Sequence, residues 1–133
     1  MLKSVDEINK VILELKNILP KGGIVLLKGD LAAGKTTLVK AFVQSLGIGE
    51  NVSSPTFSIM NIYDNRVFHY DIYSEGVSKF IQNGLLENLE LQGYHFIEWA
   101  DEKLAEILNA YGFNFITVEI ISHGEKREYR IKK

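Results

Sequence analysis

Cysteine is absent from this 133-residue chain. No disulfide can staple it and no thiolate can hold a metal, so the fold must rest on an apolar core, and the chain suits a reducing compartment. Long hydrophobic runs are absent too: no stretch approaches the roughly 20 apolar residues of a membrane-crossing helix. The opening Met1-Leu2-Lys3-Ser4 lacks the apolar heart of a signal peptide, so a cytoplasmic location is expected. The net charge is only -2, which disfavours tight, unaided binding to nucleic acid. There is no histidine cluster and no helical H-E-x-x-H, which argues against zinc. Internal repeats, low-complexity tracts and linkers are missing as well. With 46% hydrophobic residues over 133 positions, residues 1–133 read as a single domain able to bury a real core.

What is present centres on Gly29-Asp30-Leu31-Ala32-Ala33-Gly34-Lys35-Thr36, which fits the phosphate-binding pattern G-x-x-x-x-G-K-[ST]. Such a pattern needs a strand before it and a helix after it. Ile24-Val25-Leu26-Leu27 reads as a buried parallel strand. Leu38, Val39, Phe42, Val43 and Leu46 recur at helical spacing, and Gly47 stops the helix. In this setting backbone N–H groups turn toward phosphate oxygens, and the helix that starts near Lys35 adds the positive end of its dipole. Lys35 is expected to reach the β- and γ-phosphates, and the Thr36 hydroxyl to ligate Mg²⁺.

The remaining elements follow from periodicity and turn signals. Ser4-Val5-Asp6-Glu7 resembles a capping box, with Ser4 at the N-cap of a helix whose apolar stripe is Ile8, Val11, Ile12, Leu15, Ile18 and Leu19. Asn51 to Phe57, with hydroxyl residues around Pro55, reads as a loop. Phe57–Tyr63 and Arg66–Tyr73 read as strands of a hairpin around Asp64-Asn65. Ser74 to Leu91 has weak periodicity and suggests short helical pieces. Tyr94 to Ile97 reads as a buried strand. A helix follows on Leu104, Ile107, Leu108 and Tyr111, and Gly112 stops it. Phe113 to Ile121 is then a long strand, with a turn at Ser122 to Glu125 and an antiparallel return over Arg127 to Ile131. The expected fold class is α/β, a P-loop NTPase fold whose sheet is mainly parallel with antiparallel edge strands and flanking helices.

Ligands of an open α/β sheet sit at the carboxyl ends of its strands. Asp71 and Glu98 fall at such ends, and either carboxylate suits Mg²⁺ or its waters. Ser53, Ser54 and Thr56 lie in a polar loop that can serve as a switch. His69 reads as a packed strand histidine rather than a catalytic base, and Trp99 as core or interface.

Four motifs in order, Gly29 to Thr37, Ser54-Pro55-Thr56-Phe57, His69-Tyr70-Asp71-Ile72-Tyr73 and Glu98-Trp99, make the chain resemble the TsaE (formerly YjeE) family. These are small bacterial P-loop ATPases needed to make threonylcarbamoyladenosine (t6A) in tRNA. The resemblance implies ATP and Mg²⁺ as ligands and slow hydrolysis. It also implies action on a complex of TsaB and TsaD, in which TsaD modifies the adenosine at tRNA position 37. Contact with tRNA would then be indirect, through that complex. Ala32, Ala33, Gly34, Lys35, Thr36 and Thr37 would hold the nucleotide, and Thr36 and Glu98 the metal. Asp71 would be the acid needed for hydrolysis, with Lys35 and Glu98 beside it in catalysis. Thr56 would belong to the switch-like loop, and Trp99 would lie by the nucleotide. The family's C-terminal Gly-Arg turn, which approaches the nucleotide, corresponds to Gly124 and, further on, Arg127.

Three features depart from the family pattern. Ala32 replaces the first glycine of its Gly-Ala-Gly-Lys run. Ser74 replaces the arginine that usually follows the H-x-D motif. Glu125 and Lys126 separate Gly124 from Arg127. Arg66, Arg127 and Arg130 are the candidates for an arginine finger by elimination, so intrinsic turnover is expected to be low. The alternatives are a small-molecule or nucleotide kinase and a nucleotide-gated binding module. A kinase lid usually carries arginines, and Ser74 to Gly93 contains none.

Overall fold

The structure, a computed structural model, describes residues 2–4, 8–29, 34–49, 60–72, 81, 84–98, 102–123 and 126–132. Its elements in chain order are β1 (Leu2–Ser4), α1 (Ile8–Ile18), β2 (Gly23–Lys28), α2 (Lys35–Ser45), β3 (Met60–Tyr63), β4 (Val67–Asp71), α3 (Leu85–Asn88), β5 (Tyr94–Glu98), α4 (Glu102–Ala110), β6 (Phe115–His123) and β7 (Lys126–Lys132). The seven strands form one sheet in the order β1-β7-β6-β2-β5-β4-β3. The central β6-β2-β5-β4 run is parallel, and β3, β7 and β1 join antiparallel at the edges. This is the expected layered α/β fold.

Burial explains why β2 reads as an unbroken apolar run. It lies between β5 and β6 with helices on both faces, so Ile24, Val25, Leu26 and Leu27 are all buried. Period-2 alternation then sorts side chains into two cores. Val25, Leu27, Val67, Phe96, Ile116, Val118 and Ile120 face α1 and α2, where Val11, Ile12, Leu15, Leu38, Val39 and Phe42 meet them. Ile24, Leu26, Phe68, Tyr70 and Ile97 face α4 through Leu104 and Leu108, with Leu89 after α3. Each fully buried aliphatic or aromatic side chain contributes about 1.5–3 kcal/mol by leaving water. Phe42 adds edge-on contacts, with ring centroids 5.0 Å from Phe96 and 4.6 Å from Tyr94.

The β3–β4 hairpin forms where Asp64-Asn65 placed it. Both residues take positive φ (53° and 52°), as a primed turn requires, and the Arg66 N–H donates to the Tyr63 carbonyl at 3.0 Å. Gly47, at φ 77°, ends α2 as expected. Two expectations change. Ser4 belongs to a short strand that pairs with β7, and the rest of the capping box lies outside the described residues. Ser122 and His123 do not turn; they extend β6 opposite Arg127 and Lys126, because a longer ladder satisfies more backbone groups. Only Ile81 and Leu85–Asn88 are described as helical in the weakly periodic 74–91 stretch. No helix among the described residues is long and apolar enough to cross a membrane.

The α4 face carries a buried polar chain. The Tyr70 hydroxyl lies 2.8 Å from His95 Nδ1, His95 Nε2 lies 2.9 Å from the Leu91 carbonyl, and the Phe68 ring stacks on the imidazole at 4.5 Å. Burial pushes the His95 pKa below its ordinary 6.5, against the opposing pull of the Leu91 carbonyl. The neutral ring therefore donates from Nε2 to Leu91 and accepts at Nδ1 from Tyr70, whose own pKa burial raises. A histidine with a depressed folded pKa stabilises above its unfolded value, and that contribution is lost as pH falls through the folded value. Denaturation at pH 7.5 and at 5.5 is expected to show wild type losing more stability than His95→Gln, so that the gap between them narrows on acidification. A gap independent of pH would contradict this protonation state.

Candidate functional site

The parallel strands bring the sequence-predicted residues to one end of the sheet. β2 runs out at Lys28 and leads directly into Gly29, the first loop glycine. On its neighbour, Leu27 registers with Glu98, and Glu98 in turn registers with Asp71 on β4. Alternation turns His69, Asp71, Phe96 and Glu98 to the face that packs on α2. At the same end β7 begins, with Arg127 opposite Ser122 near the close of β6.

Gly34 introduces α2 with φ 99°, a left-handed conformation open to glycine. The Leu38 N–H closes the first turn on the Gly34 carbonyl at 3.0 Å. By helix geometry the N–H groups of Lys35, Thr36 and Thr37 point out of the helix end toward the loop, along the positive end of its dipole. Lys35 is buried, and its Nζ donates back across the loop to the Gly29 carbonyl. That bond holds the ammonium group of Lys35 against the end of β2. The loop residues Asp30, Leu31, Ala32 and Ala33 lie outside the described residues.

Glu98 is only 3% exposed, and a carboxylate buried this deeply needs donors. Among the described residues it has two, and both reach Oε2. The Thr36 hydroxyl donates at 3.0 Å, and the His69 ring contacts the same oxygen through Nε2. Thus the first turn of α2 is tied directly to the end of β5. The motif proposed Thr36 as a metal contact and the family resemblance added Glu98; the fold brings these two side chains together. Asp71 sits one strand further along, at the same level as Glu98. His69 is a packed strand histidine, as expected. Its contact with Glu98 was not foreseen, although the two-residue spacing from Asp71 already put it on the same strand face.

The arginines separate cleanly. Arg66 lies at the opposite, amino end of β4, held by Asp64 at 3.0 Å and by the Leu46 carbonyl at 3.1 Å. Arg130 faces away, among Glu119 and Glu128. Arg127 packs against Gly34: a Cβ built there would lie 2.5 Å from its Nη1 and 2.6 Å from its Cζ. Nη1 is buried without a hydrogen-bond partner among the described residues. By elimination the sequence offered all three as finger candidates, and only the family resemblance pointed to Arg127. The signal that separates them is the strand register, which puts position 127 at the loop end.

The donor set fits the ligands that the motif calls for. Hydroxyl and carboxylate oxygens at Thr36 and Glu98 suit a hard divalent cation such as Mg²⁺. An orphaned guanidinium nitrogen, a lysine and a helix N-terminus suit phosphate. Gly124, Thr56 and Trp99 lie outside the described residues.

Gly34→Ala is expected to be doubly harmful. A left-handed non-glycine residue costs about 1–2 kcal/mol, and the new methyl displaces the Arg127 guanidinium. Gly47→Ala provides the control, since Gly47 has positive φ (77°) but open space around it. Thermal denaturation and binding of a fluorescent adenosine diphosphate should show both variants destabilised, with affinity down about tenfold or more in Gly34→Ala alone. Equal affinity in the two variants would contradict this placement of the loop.

Comparison with known proteins gives a consistent result. The family model "Threonylcarbamoyl adenosine biosynthesis protein TsaE" matches residues 2–130. The tRNA threonylcarbamoyladenosine biosynthesis protein TsaE of Treponema pallidum is 35% identical over 112 residues, covering 82% of each chain. Its Bacillus subtilis namesake is 43% identical over 99 residues, covering 71% of this chain and 61% of that one. The Aquifex aeolicus protein is 30% identical over 98% of this chain and 92% of its own. Among solved structures, the crystal structure of Bacillus subtilis YdiB superposes with a TM-score of 0.63 at 29% identity, covering 97% of this chain and 84% of that one.

Proposed function

The chain belongs to the TsaE family of threonylcarbamoyl adenosine biosynthesis proteins, and on that premise we propose that it binds and hydrolyses ATP with Mg²⁺ to drive the TsaB–TsaD complex through its cycle of tRNA modification. The observation that carries this reading is the hydrogen bond from Thr36 to buried Glu98 at the head of a phosphate-binding loop. Family membership supports the t6A pathway; the ATPase chemistry and the partners are our inference from it. Contact with tRNA runs through the complex, in keeping with the net charge of -2.

Each side chain has a task in this reading. On binding, Lys35 exchanges the Gly29 carbonyl for β- and γ-phosphate oxygens, and the N–H groups at the start of α2 hold the same phosphates. Thr36 and Glu98 hold the metal, which when bound neutralises charge on the phosphates. Asp71 orients the attacking water. Water adds to the γ-phosphorus as the bond to the β–γ bridging oxygen breaks, giving ADP and phosphate. Lys35 and the Arg127 guanidinium offset charge that develops on the transferring group. Completion of the site by a partner accounts for low turnover in isolation.

Hydrolysis by the purified chain, with and without TsaB–TsaD, tests the proposal. The expected result is slow turnover alone, a rise of at least about tenfold with the pair, and loss of both in Lys35→Ala, as expected when a charged transition-state contact is removed. Activity indifferent to the pair would contradict the partner-driven reading. Phosphate transfer to nucleosides or small acids above the rate of hydrolysis would favour a kinase instead.

A further inference from the structure

We propose that His69 is a positioning residue for Glu98: its ring fixes the carboxylate in the orientation that, with Thr36, receives Mg²⁺. The inference rests on the metal–nucleotide reading above and deepens it. His69 is fully buried, and its Nε2 contacts Glu98 Oε2, the oxygen that also accepts the Thr36 hydroxyl. The two donors come from different elements, β4 and α2. A carboxylate held at one oxygen from two directions loses its freedom to rotate, and the plane it presents to a cation is set before the cation arrives.

Strand register makes the contact reproducible. His69 registers with Phe96, two residues before Glu98 in β5, so ring and carboxylate are diagonal neighbours on one face. Packing alone does not account for a histidine here. Among the described residues its Nδ1 is buried with no hydrogen-bond partner, and the hydrogen bond found there for the ring is the one to Glu98. An apolar residue would fill the same volume without desolvating an imidazole nitrogen. With Nε2 protonated and donating, Nδ1 is left bare, which is the tautomer that a buried, unpartnered Nδ1 favours. Hydrogen bonds of this kind, to groups that hold a metal, typically alter metal affinity by about 10–100-fold when removed.

The test uses His69→Leu, which keeps bulk but loses the donor, and His69→Gln, whose side-chain amide restores a donor near the Nε2 position. Binding of fluorescent adenosine diphosphate is measured with Mg²⁺ and with a chelator. His69→Leu should lose about tenfold or more of the affinity gained from Mg²⁺ while its metal-free affinity stays within about twofold of wild type; His69→Gln should recover most of the gain. A His69→Leu protein that keeps the whole Mg²⁺ gain overturns the role. A wild type that binds nucleotide with no Mg²⁺ gain overturns the metal-site reading itself, and the positioning role with it. Should His69→Leu not fold, ¹⁵N-histidine NMR of the wild type decides: a ring protonated at Nε2 whose signal shifts on adding Mg²⁺ and ADP is expected, and a ring protonated at Nδ1 overturns the proposal.

Discussion

The site depends on one buried carboxylate. Glu98 sits at the end of a strand where the sheet meets the first turn of α2, and a carboxylate this deep is sustained by hydrogen bonds aimed at it. The Thr36 hydroxyl supplies one from the helix and the His69 ring one from the next strand. Together they couple three elements that the chain lists 62 and 29 residues apart. The first turn of α2 is therefore located by a polar contact as well as by the apolar stripe beneath it.

Everything else serves to place that carboxylate. The parallel order β6-β2-β5-β4 puts the ends of β2, β4 and β5 at one edge, and two-residue alternation decides which side chains look toward α2. The antiparallel return of β7 then brings Arg127 back to the same edge, where it lies against Gly34. Cationic groups from three sources converge there: Lys35, Arg127 and the dipole of α2. Asp71 and Glu98 are strand-end acids in the same layer, level with each other in the register. Such an arrangement suits a polyphosphate carrying its own divalent cation better than it suits either ion alone.

Much of this was legible in residues 24–29 and 34–47, where strand and helix obey local rules: a buried apolar run, a glycine before the helix and a 3.6-residue stripe. The Asp64-Asn65 turn was legible for the same reason, since few residues accept positive φ. Glu98 and Asp71 were visible as acids at strand ends, but only the family resemblance, not the pattern itself, paired Glu98 with Thr36, because that contact depends on neighbours far apart in sequence. β1 was missed because three residues cannot show a period, and Ser4 carries a stronger helix-cap signal than strand signal. The family resemblance pointed to Arg127, but spacing alone did not set it apart from Arg66 and Arg130, since the direction of each strand is what separates them. For the bond between His69 and Glu98, spacing along the chain gave only the shared face with Asp71; the partner on β5 comes from the strand register.

Backbone amide NMR of the purified chain, titrated with ADP and Mg²⁺, tests the central claim most directly. Shifts should concentrate at Gly29, Gly34 to Thr37, Asp71, Glu98 and Arg127. The sheet's opposite, amino end offers a natural contrast, since a hollow of about 270 Å³ opens there, lined by Lys21, Gly22, Leu91, Gln92 and His95 among others. Shifts gathered around that hollow, with the loop end unmoved, would contradict the account.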